Sequence, residues 1–148
     1  MADNSDIFGK RIGKGKSRIV YPHNENPNWV IKQIMAENPT SNSNQIEWSV
    51  WLAVKDTPFA DFFCPCVDLT AEGHIIMLRC DPVPKDHKKR ITKILDIKLP
   101  DTNGLKNYGW LDGRLVLVDY GHTDFALLID ALNQYKISKQ HTEDTEKE

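Results

Sequence analysis

Residues 111–122 read Leu-Asp-Gly-Arg-Leu-Val-Leu-Val-Asp-Tyr-Gly-His. A turn at Asp112-Gly113 leads into the apolar run Leu115 to Val118, which delivers one acid, Asp119, to a point just before Tyr120-Gly121. Four apolar residues before an acid predict a short buried strand with a carboxylate at its end. A charge in such a place is costly unless it has a partner, so Asp119 is expected to be paired or metal-bound. The rest of the chain must supply that partner.

The chain has 148 residues, enough for one domain with a real core. Its 40% hydrophobic and 27% charged content fits a water-exposed globular fold, and a net charge of -2 offers no basic field for nucleic acid. No apolar run approaches the roughly 20 residues that span a bilayer. The opening MADNSDIFGK is polar and has no signal-peptide core, so a cytoplasmic location is expected. Three cysteines, Cys64, Cys66 and Cys80, are an odd set that favours reduced thiols. Cys64-Pro-Cys66 lacks a second ligand pair at zinc spacing.

Working back to the N-terminus, Phe8 and Ile12 on one side and Ile19 and Val20 on the other flank a glycine-lysine turn. Strand, turn, strand is the expectation. Glycines let a backbone pass close over a phosphate, and lysines add positive charge. Two nucleotide motifs compete. Gly15-Lys16-Ser17 matches the end of a P-loop, but Lys10 stands where its first glycine belongs, and strand formers follow where a helix should. Gly13, Gly15 and Val20 match the loop G-x-G-x-x-G-x-V between two strands, with Arg18 at the third glycine. An ordinary basic hairpin is the third option.

Asn24 to Asn28 is a turn cluster that returns the chain to a strand, Trp29 to Ile34. Lys32 sits at the end of its apolar triplet, either as a snorkelling surface lysine or as a phosphate-binding one. A polar linker, 36–44, offers caps between Ser41 and Asn44 for a helix from Asn44 to about Lys55. Ile46, Val50, Ala53 and Val54 fall at helical spacing. Glu47 either suits the helix dipole in the first turn or pairs with Lys32. Asp56-Thr57-Pro58 ends that helix, and Phe59, Phe62 and Phe63 are expected in the core. Val67 to Thr70 and His74 to Arg79 make two strands. Cys80 to Pro84 is a proline-stiffened connector. Lys85 to Asp96 predicts an amphipathic helix with a solvated basic run, and 100–109 a loop. A last helix capped by Thr123 or Asp124 carries Phe125, Leu128, Ile129 and Leu132; the polar tail from Ile137 is expected to be disordered.

This order resembles a protein kinase cut very short. It is most similar to the short kinase-like proteins of tailed bacteriophages, through the loop GKGKSRIVY and the block of Asp101, Asn107-Tyr108-Gly109, Asp112-Gly113-Arg114 and Asp119-Tyr120-Gly121. The similarity covers roughly residues 8 to 135. It implies an α+β, protein-kinase-like fold: a five-stranded antiparallel N-lobe sheet with one helix (1–80), a hinge (81–84), a minimal C-lobe of two helices and a short hairpin (85–136), and a tail (137–148).

It also implies a site. Gly13, Gly15, Ser17, Arg18 and Val20 would cover the phosphates of ATP. Lys32, held by Glu47, would bind them, and Cys80 and Asp81 would read adenine through the backbone. Asn107 and Asp119 would hold Mg2+, and Asp101 would be the catalytic base. Two departures stand against full activity. Asp101 lies six residues before Asn107 where the pattern has five, and Thr102 occupies the fifth. Either a bulge at Asn103-Gly104 brings Asp101 to the site or the base is missing. Beyond Gly121 there is no A-P-E segment and no platform for a peptide substrate.

The expectation is therefore a pseudokinase-like protein that binds Mg-ATP and acts on a host or phage protein by binding, in the host cytoplasm. An active minimal phosphotransferase and a purely structural interaction protein without nucleotide are the alternatives. A reduced C-lobe leaves apolar surface that a homodimer or a partner would cover.

Overall fold

A computed structural model describes residues 7–14, 17–87, 93–94, 97–98 and 107–146. Its centre is an antiparallel five-stranded sheet in the order β1-β2-β3-β5-β4, built from β1 (Gly13–Lys14), β2 (Arg18–Pro22), β3 (Trp29–Ile34), β4 (Cys66–Leu69) and β5 (Ile75–Leu78). The sheet is interrupted in sequence by α1 (Ser43–Val54) and by a 3-10 turn at Pro58–Phe62. The α+β class and the five antiparallel strands agree with the sequence reading.

β3 is central because its residues tolerate burial on both faces: Val30, Ile31 and Lys32 are all buried. Lys32 lies across from Val20 on β2 and from Ile75 on β5. In α1 the inward stripe is Ser43, Asn44, Glu47, Val50 and Val54, which is helical spacing with an acid at its middle. Glu47 falls in the second turn of the helix, not the first, because α1 starts at Ser43. Phe63 is buried as expected, whereas Phe62 is exposed.

The connector after β5 pairs with a hairpin further along the chain. Asp81 and Trp110 exchange two backbone hydrogen bonds, Asp81 N–H to Trp110 O at 2.9 Å and Trp110 N–H to Asp81 O at 2.8 Å. That hairpin is β8 (Tyr108–Leu111) and β9 (Arg114–Leu117), closed by Asp112 and Gly113 with φ of 51° and 80°. Positive φ at both positions gives the turn whose twist matches a two-residue hairpin, and Asp-Gly is a favoured sequence for it. The hairpin docks on the main body through a parallel bridge, Phe63 to Leu117.

Two expectations are corrected. The helix predicted over 85–96 is not formed at Lys93–Ile94, which is β6, paired antiparallel with β7 (Ile97–Lys98). The expectation rests on Ile91, Ile94 and Leu95 at helical spacing, and three apolar positions do not tell a short helix from a short apolar hairpin. Among the described residues the part after the connector thus holds one helix and two hairpins, not two helices and one hairpin. That helix, α2, runs Phe125–Glu146 and takes in most of the tail expected to be disordered. Lys, Gln and Glu are good helix formers, and a helix already nucleated by Leu128 and Leu132 in the core extends through them at little cost. Asp124 caps its start, accepting from Leu127 N–H at 3.1 Å.

One apolar cluster spans both sides of the connector. Val50, Val54, Phe63, Ile75 and Met77 from the sheet and α1 pack in it with Val116, Leu117, Tyr120, Leu128 and Leu132. No helix among the described residues is long and apolar enough to cross a membrane.

Candidate functional site

Four elements that are remote in sequence converge on Glu47. Lys32 Nζ, from the middle of β3, donates to Glu47 Oε1 at 2.7 Å and also to the Val118 carbonyl. Arg18, at the start of β2, sets its guanidinium fork against both carboxylate oxygens, Nη1 to Oε1 at 3.0 Å and Nη2 to Oε2 at 3.1 Å. The Tyr120 backbone N–H donates to Oε2 at 2.9 Å. Glu47 is wholly buried, and these four donors satisfy both its oxygens.

Asp119 enters the same cluster from the end of β9. Its Oδ1 accepts from Arg18 Nη2 at 2.6 Å. With 38% of its side chain exposed, it is the wet end of a network whose other members are buried. Asn44 completes the frame. Its Oδ1 accepts from Arg18 Nη1 at 3.1 Å, and its Nδ2 donates to the carbonyls of Lys32 and Gly73 at 2.9 and 2.8 Å. Asn44 therefore ties α1 to β3 instead of capping the helix, a role its position in a run of cap-type residues concealed.

Electrostatically the cluster is balanced, with two cations (Arg18 and Lys32) and two anions (Glu47 and Asp119). Burial alone would push the Glu47 carboxyl up. Lys32 and Arg18 outweigh it and hold the group down at about 2. Burial would lower the Arg18 guanidinium, but Glu47 and Asp119 raise it further. Both groups are thus held ionised, inside a region where an unpaired charge would be costly.

The Tyr120-Gly121 step is clamped as firmly as the acid before it. Tyr120 is buried, donates from Oη to the Cys64 carbonyl at 2.7 Å and packs edge-on against Phe63. A Cβ on Gly121 would lie 2.5 Å from the Ser43 carbonyl oxygen, so the chain passes the start of α1 at a distance only glycine permits.

Of the residues singled out in sequence, the structure brings Arg18, Lys32, Glu47 and Asp119 into one network. Gly13 and Val20 face each other across β1 and β2, and Val20 is also the partner of Lys32. Ser17 meets the start of the next linker, its carbonyl accepting from Met35 N–H at 2.8 Å. Asn107 is buried, and its carbonyl accepts from Val118 N–H at 2.9 Å, one position before Asp119. Gly15 and Asp101 lie outside the described residues. Asp81, expected to read adenine through its backbone, exchanges N–H and C=O hydrogen bonds with Trp110. Cys80 lies beside Cys64, with the two sulfurs 3.1 Å apart.

The ion-pair role of Arg18 is not legible in the sequence: a residue expected over the phosphates points its side chain inward to Glu47, Asn44 and Asp119. The available signal is an arginine opening an otherwise apolar strand, Arg-Ile-Val-Tyr.

Among the described residues no group of three or more His, Cys, Asp or Glu side chains could hold a metal ion. A divalent cation here would have one carboxylate, Asp119, with the Asn107 amide nearby in sequence register. Mg2+ accepts that kind of site, since it keeps waters and takes oxygens from a phosphate ligand. It would have to compete with Arg18 for Asp119. Comparisons with protein-family models, with curated proteins and with solved structures give no match to this chain.

Proposed function

We propose that the protein is a nucleotide-binding module of protein-kinase-like architecture that acts by binding, with weak or no phosphoryl transfer. The observation that carries this reading is the Lys32–Glu47 pair at 2.7 Å, made between the third strand and the helix, with Asp119 joined to it through Arg18. A lysine fixed by a buried glutamate is a positioned cation for the α- and β-phosphates of ATP. Asp119 is the partly exposed carboxylate at which Mg2+ would enter, and Mg2+ when bound would neutralise phosphate charge. Arg18 argues for binding over catalysis. Its Nη2 bonds Asp119 at 2.6 Å, so a metal ion on that carboxylate would compete with Arg18. The partner acted upon is a host or phage protein in this reading, as the resemblance to short kinase-like phage proteins implies.

The decisive experiment is a thermal shift with Mg-ATP. A ligand present at 100 times its Kd stabilises by about 2.7 kcal/mol. The rise in Tm should vanish in Lys32→Ala and lose its Mg2+ dependence in Asp119→Asn. No shift across millimolar Mg-ATP would overturn the nucleotide reading. The outcome would then favour a second one, a binding protein in which the four charges only lock the hairpin to the sheet. That alternative is favoured by the completeness of the network, which satisfies Glu47 without any ligand.

A further inference from the structure

The two sulfurs beside the connector point to chemistry that the charged cluster does not use. Cys64 is wholly buried and is held by its backbone, with its N–H donating to the Leu117 carbonyl at 2.8 Å. Cys80 is half-buried. Its neighbours on both sides are fixed, Arg79 N–H by the Asn28 carbonyl at 2.6 Å and Asp81 by Trp110. Between these two anchored backbones the Sγ atoms lie 3.1 Å apart. A disulfide bond is about 2.05 Å long, so about 1 Å of approach closes it. Cys66 is turned elsewhere, its Sγ 3.2 Å from Tyr120 Oη. Gly109 keeps room for the pair: a Cβ there would lie 2.5 Å from Cys80 Cβ and 3.2 Å from its Sγ.

We propose that Cys64 and Cys80 are a peroxide-oxidisable dithiol, a modification site that closes a reversible disulfide between the connector and the segment under β9. In the first step the Cys80 thiolate attacks one oxygen of hydrogen peroxide. An S–O bond forms, the O–O bond breaks, and the departing hydroxide takes a proton to become water. In the second step the Cys64 sulfur gives up its proton and attacks the Cys80 sulfur. The S–S bond forms, the S–O bond breaks, and the second hydroxide leaves as water with that proton. Two thiols lose two electrons in all, and one peroxide is reduced to two waters. A small dithiol reverses the reaction by thiol–disulfide exchange.

The order of attack follows from the surroundings. Cys80 is the more accessible sulfur, and its hydrogen bond with Cys64 draws its thiol down. The same hydrogen bond, and then burial, push Cys64 up, so Cys80 is the sulfur that reacts first with peroxide and the proximity of Cys64 makes it the resolving partner. Transient disulfides of this kind are the usual sort in a reducing compartment.

The test uses the full chain treated with hydrogen peroxide, then alkylated and weighed intact. The expected product has lost two hydrogens and offers one alkylatable thiol in place of three, with a Cys64–Cys80 linkage in the peptide map that dithiothreitol removes. Cys66→Ser should still form it, leaving no alkylatable thiol, and this variant keeps the tested pair intact. Cys80→Ser should form no intramolecular linkage. Oxygen addition to Cys80 without linkage would overturn the proposal. So would a Cys64–Cys66 or intermolecular disulfide, or three unreacted thiols under conditions that oxidise free cysteine in the same buffer.

Discussion

Arg18 Nη2 donates to Asp119 Oδ1 at 2.6 Å, joining the second strand to the end of the last hairpin across 101 residues of chain. The same guanidinium spans both oxygens of Glu47. Arg18 is therefore shared between a buried acid that it helps keep ionised and a half-exposed acid that solvent or a cation can reach. Its two contacts differ in strength of hold. The Glu47 fork is desolvated, whereas the Asp119 contact is open to screening.

If Arg18 and Mg2+ compete for Asp119, then Arg18→Ala tightens Mg-ATP binding even as it weakens the fold. Freeing Asp119 from one charge-assisted hydrogen bond of about 1.4 kcal/mol corresponds to roughly a tenfold gain in affinity. Titration with a fluorescent ATP analogue in Mg2+ against EDTA reads this directly. Weaker binding in Arg18→Ala would show instead that Arg18 is a phosphate ligand.

Glu47 is the member whose loss should hurt most. Glu47→Gln removes the counter-charge shared by Arg18 and Lys32 and leaves two cations close together in the interior. Breaking a buried pair from one side costs about 3–5 kcal/mol. Asp119→Asn, at the exposed end, should cost under about 1 kcal/mol. Urea unfolding of the two variants beside the parent gives both numbers, and equal losses would mean that the network is not centred on Glu47.

Stability should also fall with acid in a defined window. Glu47 is held at about 2, from an ordinary value of 4.5. As pH falls through about 4.5 the unfolded chain takes up a proton at this residue while the folded chain does not. More protons on the unfolded state mean that stability drops as pH drops. The contribution is complete above about 4.5, shrinks progressively, and is gone below about 2, a total on the order of 3 kcal/mol. Urea midpoints measured between about pH 5 and pH 3 should decline more steeply for the parent than for Glu47→Gln. Parallel declines would assign the acid sensitivity to other carboxylates.

The parts of this arrangement that were legible in the sequence are those written in local pattern. Trp29 to Ile34 shows as a strand because apolar residues flank Lys32, and α1 shows because Ile46, Val50 and Val54 recur at helical spacing. The Asp112-Gly113 turn is visible because few other pairs adopt two successive positive φ angles. What escaped is set by long-range packing. Nothing local says that Arg18 turns inward, or that Asn44 bonds across to β3 and Gly73 rather than to its own helix. The hairpin at Lys93–Ile94 and Ile97–Lys98 was misread because its apolar spacing also fits a helix. The helical course of α2 beyond Ile137 is not legible because its polar composition also fits disorder, and the helix is extended from Leu128 and Leu132 in the core.

Two glycines at opposite ends of β9 should respond to substitution for opposite reasons, which tests how the Asp119 end is held. Gly113 has open space around it but a φ of +80°, so a side chain meets no neighbour and only the backbone is strained. Gly113→Ala should cost about 1–2 kcal/mol, and Gly113→Asn less, because asparagine visits that conformation with little penalty. Gly121 has no such φ, but a Cβ would meet the Ser43 carbonyl oxygen at 2.5 Å and the Ser43 Cβ at 2.9 Å. That neighbour is in the first turn of α1, a helix that also carries Asn44 and, one turn on, Glu47, so it yields only by moving the acid that Arg18 and Lys32 grip. Gly121→Ala should therefore cost about 1–3 kcal/mol by overpacking, and Gly121→Asn, which is larger, should cost more. Chemical denaturation of the four variants gives the ordering. If asparagine relieves alanine at 121 as it does at 113, the close approach of Gly121 to Ser43 is not what fixes the strand end, and the Arg18 and Tyr120 contacts hold the Asp119 region without it.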